Sequence, residues 1–138
     1  MAATPLIPDA LQTFRYLYGT NLETGIIALA GGGQTGATAL TAQVSRVDTV
    51  ASGNDSVSLP KITLATPFEA KPGGLGFIMF VRNNGANSMQ VFGATPDTIN
   101  AVATGTGVAV GSGKSAIFWV DSFNQTTNVG TWQMLLSA

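Results

Sequence analysis

The chain has 138 residues, a net charge of −1, and neither histidine nor cysteine. Only 9% of its residues are charged, against about 25% in an ordinary soluble protein. These numbers exclude a disulfide framework, a thiolate metal site and any chemistry that needs a histidine base. The chain is still 45% hydrophobic, which is enough for one domain with its own core.

The chain starts with MAATPLIPDALQTF, which has no basic stretch followed by a continuous apolar stretch. We therefore expect no signal peptide. The longest apolar run, residues 75–81, is far shorter than the roughly 18 residues of a membrane helix. The sequence predicts a protein made in the cytoplasm, with no membrane partner.

Residues 1–36 are predicted to form an N-terminal arm ahead of a β domain of residues 37–138. Within the arm, 9–18 fits two helical turns or an alternating strand, and 23–30 is a candidate strand. The run 31–36 is rich in glycine and serves as a connection. Two alternatives follow for the arm: it docks on another subunit, or it folds back as an edge strand of its own sheet.

Short β-strands separated by turn signals account for the rest of the chain. Residues 37–50 and 57–60 alternate in polarity, and proline ends the second of these strands. The run 75–81 is apolar on both faces, which predicts a strand covered by the core on one side and by a partner or a loop on the other. Asn84-Gly85 is a strong hairpin signal, with 88–92 as its return strand.

The C-terminal third continues the same pattern. Strands are predicted at 106–110 and 115–120, with Gly111–Lys114 between them as a glycine-rich hairpin loop. A polar loop at 121–128 precedes a last strand at 129–136. The total of about eight strands predicts an all-β sandwich of the jelly-roll type, with a seven-stranded immunoglobulin-like sandwich as the rival.

No catalytic, cofactor or metal site is predicted. A P-loop would need a glycine where Val108 stands, and a helix where a strand follows Lys114. The acids are scattered singly, and Asp55 and Asp97 are interpreted as turn-forming residues. The few basic residues form no stripe for nucleic acid. We therefore expect that the protein is not an enzyme and binds no nucleic acid.

Aromatic residues in strands are usually core residues. The sequence predicts that six of them build the core and its rim: Phe77, Phe80, Phe92, Phe118, Trp119 and Trp132. Sugar stacking on Trp119 or Trp132 is the alternative for the two tryptophans.

From about residue 37 to 136 the chain resembles small decoration, or cement, proteins of tailed double-stranded-DNA bacteriophage heads. The likeness lies in the order of short signatures, namely ATAL at 37–40, VSLP at 57–60, VRNNGANSMQV at 81–91, DTIN at 97–100, GKSA at 113–116 and TWQM at 131–134.

The resemblance implies a jelly-roll virion protein, bound in many copies to the outer surface of the major capsid protein shell, which it stabilises. It also implies self-association as a dimer or trimer, and it brings no catalytic residues. An uncharged polar surface suits this role, because neighbours can cover it without desolvating charges. A receptor- or glycan-binding module of a head spike or tail fibre is the alternative function.

Overall fold

The computed structural model describes residues 21–63 and 76–138, and these form only β-strands and the turns and loops between them. The strands, in chain order, are β1 (Leu22–Ile27), β2 (Thr38–Ala39), β3 (Val44–Thr49), β4 (Ser56–Ser58), β5 (Ile78–Asn83), β6 (Met89–Phe92), β7 (Thr98–Ile99), β8 (Val108–Val110), β9 (Ser115–Asn124) and β10 (Val129–Leu136). The prediction of an all-β fold is confirmed. No helix in these two ranges could cross a membrane.

The strands form two sheets. The larger sheet has six strands in the order β1-β3-β5-β9-β10-β7, and the smaller has four in the order β2-β4-β6-β8. From β1 to β6, successive strands alternate between the sheets, so the chain coils around the core and each strand lies parallel to the strand two places earlier. The two sheets together form a β-sandwich.

The pairing pattern differs from the one expected of a jelly roll, which is an antiparallel architecture. Neighbours pair in parallel at β1-β3, β3-β5, β2-β4, β4-β6 and β7-β10. Antiparallel pairs occur at β5-β9, β9-β10 and β6-β8. The jelly-roll topology is therefore not confirmed, although the sandwich is.

The core lies between the sheets and is built from side chains at alternate positions. In β5, Met79 and Val81 point inward, and in β9 Phe118 and Val120 do the same. Trp132 of β10 is fully buried among them. This alternation is the period of two that a strand requires when one of its faces is buried.

The predicted Asn84-Gly85 hairpin is wrong. β5 and β6 lie in different sheets, so the loop carries the chain from one sheet to the other. A glycine is required at position 85 because the loop packs directly against the backbone of Val50: a Cβ on Gly85 would lie 2.6 Å from the Val50 nitrogen. Asn83 ties the loop down: its side-chain amide donates to the carbonyl of Val110 at 2.8 Å, and its oxygen accepts from the Gly85 amide at 2.9 Å.

The predicted hairpin at Gly111–Lys114 is wrong for the same reason, because β8 and β9 belong to different sheets. The segment does turn tightly, with Gly113 at a φ of 72°. The hydroxyl of Ser112 donates to the carbonyl of Gly85 at 2.6 Å, so the two crossing loops support one another. The long C-terminal hairpin is β9-β10, and β9 takes in residues 121–124 of the predicted polar loop.

Part of the segment assigned to the arm is an edge strand. β1 pairs in parallel with β3 at the edge of the larger sheet, and Ile26 contributes to the core. The pairing is irregular around Gly25, whose amide donates to the Asp48 carboxylate at 2.7 Å. The helix-or-strand prediction for residues 9–18 lies outside the described residues.

Candidate functional site: an apolar face on the larger sheet

One row of apolar side chains crosses the outer face of the larger sheet. The register aligns Leu22, Val44, Phe80, Ile117 and Leu135 on five neighbouring strands. Neighbouring strands are about 4.8 Å apart, so this row is about 19 Å long. It is a continuous apolar strip on the side of the sheet that faces away from the core.

A second row lies beside the first, where Ile78, Trp119 and Gln133 are aligned. We call the five-residue row together with Ile78 and Trp119 the outer apolar face. Phe80 is 45% exposed and Leu135 is 62% exposed, whereas the outward face of a sheet in a sandwich usually carries polar side chains. A two-faced apolar β5 was predicted from the sequence, and its outer side chains are uncovered among the described residues.

The five-residue row of the outer apolar face lines a groove of about 480 Å³, which Ile78 and Trp119 do not line. The side chains of Arg46 and Arg82 stand opposite one another along one rim, on adjacent strands. Arg46 donates to Asp48 at 2.8 Å, while Arg82 has no ion-pair partner within residues 21–63 and 76–138. The groove therefore combines an apolar floor with a positively charged rim.

The aromatic residues divide between the core and this face. Phe92, Phe118 and Trp132 are buried, as the sequence predicts. Phe80 and the half-buried Trp119 lie on the outer face instead. The full burial of Trp132 removes it as a sugar-stacking residue.

A shallower, more polar depression lies at the other end of the β9-β10 hairpin. Its walls include Phe123, Asn124, Gln125 and Thr127. The ammonium group of Lys61 sits 5.6 Å from the centre of the Phe123 ring. An aromatic side chain next to amide groups is a combination suited to a polar ligand such as a sugar.

Asp97 ties its own loop to the loop after β4 and to the start of β10. Its buried carboxylate accepts hydrogen bonds from the backbone amides of Ile62 at 2.7 Å and Gly130 at 2.8 Å, and from the ammonium group of Lys61 at 2.5 Å. The turn-forming role predicted for Asp97 is therefore incomplete. Its strongest partners are 33 to 36 residues away in sequence, a distance that no local pattern reveals.

Asp55 has a similar role near the glycine run. Its carboxylate accepts from the Ser52 hydroxyl at 2.6 Å, from the Ser52 and Ala51 amides, and from the Gly31 amide at 3.3 Å. It therefore closes the turn before β4 and fastens the glycine-rich connection to it. The Ser52 hydroxyl, followed by the Ser52 amide, lowers the pKa of the Asp55 carboxyl. A hydrogen bond from Arg46, followed by one from the Gly25 amide, lowers the pKa of Asp48.

These two carboxylates predict how stability depends on pH. A carboxyl whose pKa is lowered by folding stabilises the folded state above its unfolded pKa of about 3.9, and that stability is lost as the pH falls through the folded pKa. We expect the free energy of unfolding to be nearly constant from pH 8 to 5, because the chain has no histidine, and to fall below about pH 4. Urea titrations monitored by tryptophan fluorescence at pH 7, 5, 4 and 3 measure this.

The control for the pH prediction is Ser52→Ala, which removes the largest cause of the low Asp55 pKa. The variant should lose less stability between pH 7 and pH 3 than the parent does. An equal loss in both proteins would contradict the role assigned to Asp55.

The described residues contain no group of three or more acidic, histidine or cysteine side chains that could hold a metal ion. The loop at Gly111–Lys114 leads into strand β9, so the strand-loop-helix arrangement of a phosphate-binding loop is not present there. The outer apolar face remains the strongest candidate for function.

Comparisons with protein-family models, with curated proteins and with solved structures find no match.

Proposed function

We propose that this protein is a decoration, or cement, protein of a tailed-phage capsid. It binds in many copies to the outer surface of the major capsid protein shell and stabilises that shell, with self-association as a dimer or trimer. It is made in the host cytoplasm and carried on the virion surface. The resemblance of residues 37–136 to such proteins motivates this proposal.

The outer apolar face is the observation that carries the proposal. Burying one leucine or phenylalanine side chain contributes about 1.5–3 kcal/mol, so a row of such residues left open in a folded domain marks a contact surface. Arg46 and Arg82 are the charged residues among those that line the groove, so the desolvation cost of covering it is confined to these two side chains. Such a face suits a protein whose role is contact.

The first test places a charge in the face. Leu135→Glu should weaken binding to purified shells that lack this protein by at least about tenfold, since burial of a leucine is worth about 1.5–3 kcal/mol and about 1.4 kcal/mol is a factor of ten. Co-sedimentation with the shells measures the binding. Leu135 is 62% exposed, so the variant should fold as the parent does.

The matched control is Ala109→Glu, which places the same charge on an exposed residue of β8 in the other sheet. It should bind shells as the parent does. The proposal also requires that shells with bound protein resist heating better than bare shells. Equal heat resistance of bare and decorated shells would contradict the cement function, and loss of binding in both variants would contradict the assignment of the face.

The polar depression near Phe123 supports a second candidate, a receptor- or glycan-binding module of a head spike or tail fibre. The aromatic ring and the amides of Asn124 and Gln125 supply a stacking surface and hydrogen-bonding groups. Binding on a glycan array that Phe123→Ala abolishes would favour this function, and an array without any bound glycan would count against it.

A further inference from the structure

We propose that in the free protein the groove of the outer apolar face is covered by the N-terminal segment of the same chain, residues 5–18. This placement of residues 5–18 does not depend on the function proposed above. If the protein binds a capsid shell, the shell must displace residues 5–18 from the groove, and this consequence rests on the proposed function.

The position of Asn21 is the first argument. The Asn21 carbonyl accepts a hydrogen bond from the Val44 amide at 3.1 Å, and the next residue, Leu22, is the first member of the apolar row. The chain therefore enters the described structure at one end of the groove. Whatever precedes Asn21 starts beside this apolar floor.

The length and composition of the preceding segment are the second argument. Seven of its side chains are large and apolar or aromatic, namely Leu6, Ile7, Leu11, Phe14, Tyr16, Leu17 and Tyr18. Phe14 lies eight positions before Leu22, and an extended chain spans about 3.3 Å per residue. Phe14 can thus reach any point of a row about 19 Å long. A tether this short gives an effective concentration in the millimolar range.

The size of the face is the third argument. One row on five strands and two residues of a second row cover at most about 20 Å by 15 Å, or about 300 Å². A stable pair of proteins needs about 800 Å² from each partner, so a second copy held by this face alone would bury too little, and the proposed shell contact must extend beyond the face. A narrow groove of about 480 Å³ is better matched by a single peptide segment.

The charges of the rim agree with this occupant. Arg82 lacks an ion-pair partner within the described ranges. Residues 1–20 contain one acid, Asp9, and one base, Arg15, and Asp9 lies between apolar Leu6 and Ile7 on one side and Leu11 on the other. The Asp9 carboxylate and the apolar groups around it match an apolar floor with a cationic rim, so the charge complementarity rests on Asp9 alone, since Arg15 has the same sign as the rim. Such a rim contact sets the orientation of the segment more than its affinity.

Disulfide cross-linking tests this placement, because the chain has no cysteine of its own and only introduced thiols can react. Ser115 lines the groove, so Ser115→Cys adds a thiol there with little change in size. Ser115→Cys is combined in the full-length protein with either Ala10→Cys or Thr13→Cys. Mass spectrometry and non-reducing gels measure disulfide formation during mild oxidation. A disulfide forms only when the two Cα atoms come within about 7 Å.

We expect a disulfide within the monomer in at least one of the two pairs, formed at least ten times faster than in the control pair. The control replaces Ser115→Cys with Ala109→Cys, which is exposed on the opposite sheet. Disulfide-linked dimers on mixing the single-cysteine proteins would place the segment of a second copy in the groove and overturn the proposal. Equal, slow cross-linking of all pairs would overturn it as well.

The cover and the proposed function can fail separately. Cross-linking is measured in free protein without shells, and shell binding is measured with Leu135→Glu. If cross-linking is slow and equal in all pairs while Leu135→Glu still weakens shell binding, the proposal that residues 5–18 cover the groove is wrong and the decoration function stands. A fast monomeric cross-link in a protein that never binds shells would remove the decoration function alone.

Discussion

Replacing Asp97 with alanine is expected to lower the free energy of unfolding by about 2–6 kcal/mol, since each of the two buried amides left without an acceptor costs about 1–3 kcal/mol. The change leaves the Ile62 and Gly130 amides without their acceptor and the Lys61 ammonium group without its counter-charge. Folded domains are stable by only about 5–15 kcal/mol, so this is a large share of the total. Urea unfolding, followed by the fluorescence of buried Trp132, measures it.

Two controls separate the network from the loss of a carboxylate in general. Asp97→Asn keeps the shape and one acceptor oxygen, so it should lose less stability than Asp97→Ala. Asp121→Ala removes an exposed acid of β9 and should change stability by no more than about 0.5 kcal/mol. A loss below about 1 kcal/mol in Asp97→Ala would show that water replaces these hydrogen bonds.

The existence of most strands could be predicted from the sequence, because alternating polarity follows directly from the geometry of a strand. The two-faced apolar pattern of β5 also predicted a covered outer side, and Ile78 and Phe80 do project from the sheet away from the core. The other members of the outer apolar face were not predicted. Leu22, Ile117 and Leu135 belong to it only because the register brings five strands together.

The connections could not be predicted, and for a physical reason. A turn signal reports where the chain changes direction, but not whether the next strand pairs with the previous one or joins the opposite sheet. Asn84-Gly85 fits a hairpin by sequence, yet neither residue has a positive φ. Gly85 is needed because Val50 packs against its backbone. The two residues are far apart in sequence, so no local sequence pattern predicts their contact.

The network around Asp97 escaped prediction for the same reason. Asp97 fits a local turn residue, but its donors come from the loop after β4 and from the start of β10. In a fold where the chain coils between two sheets, the loops need ties of this kind, because sequence neighbours often lie in opposite sheets. One buried carboxylate that accepts from three separate donors supplies such a tie.

Gly130→Ala is expected to destabilise the protein by about 1–3 kcal/mol or more, the usual range for added volume in a packed core. A Cβ on Gly130 would lie 2.4 Å from the Cβ of Ile62 and 2.5 Å from its Cδ1. Rotating the Ile62 side chain cannot relieve this clash, because the backbone fixes the position of its Cβ, and Ile62 is fully buried. The control is Gly53→Ala, where a Cβ meets nothing within 4 Å and φ is not positive.

The same substitution tests whether Asp97, Ile62 and Gly130 act as one unit. The clash displaces the Gly130 backbone, whose amide donates to Asp97, so Gly130→Ala already weakens part of what Asp97→Ala removes. The double variant should therefore lose less stability than the two single losses added together, with a coupling of about 0.5–3 kcal/mol. Losses that add to within about 0.5 kcal/mol would show that packing and hydrogen bonding at this junction are independent.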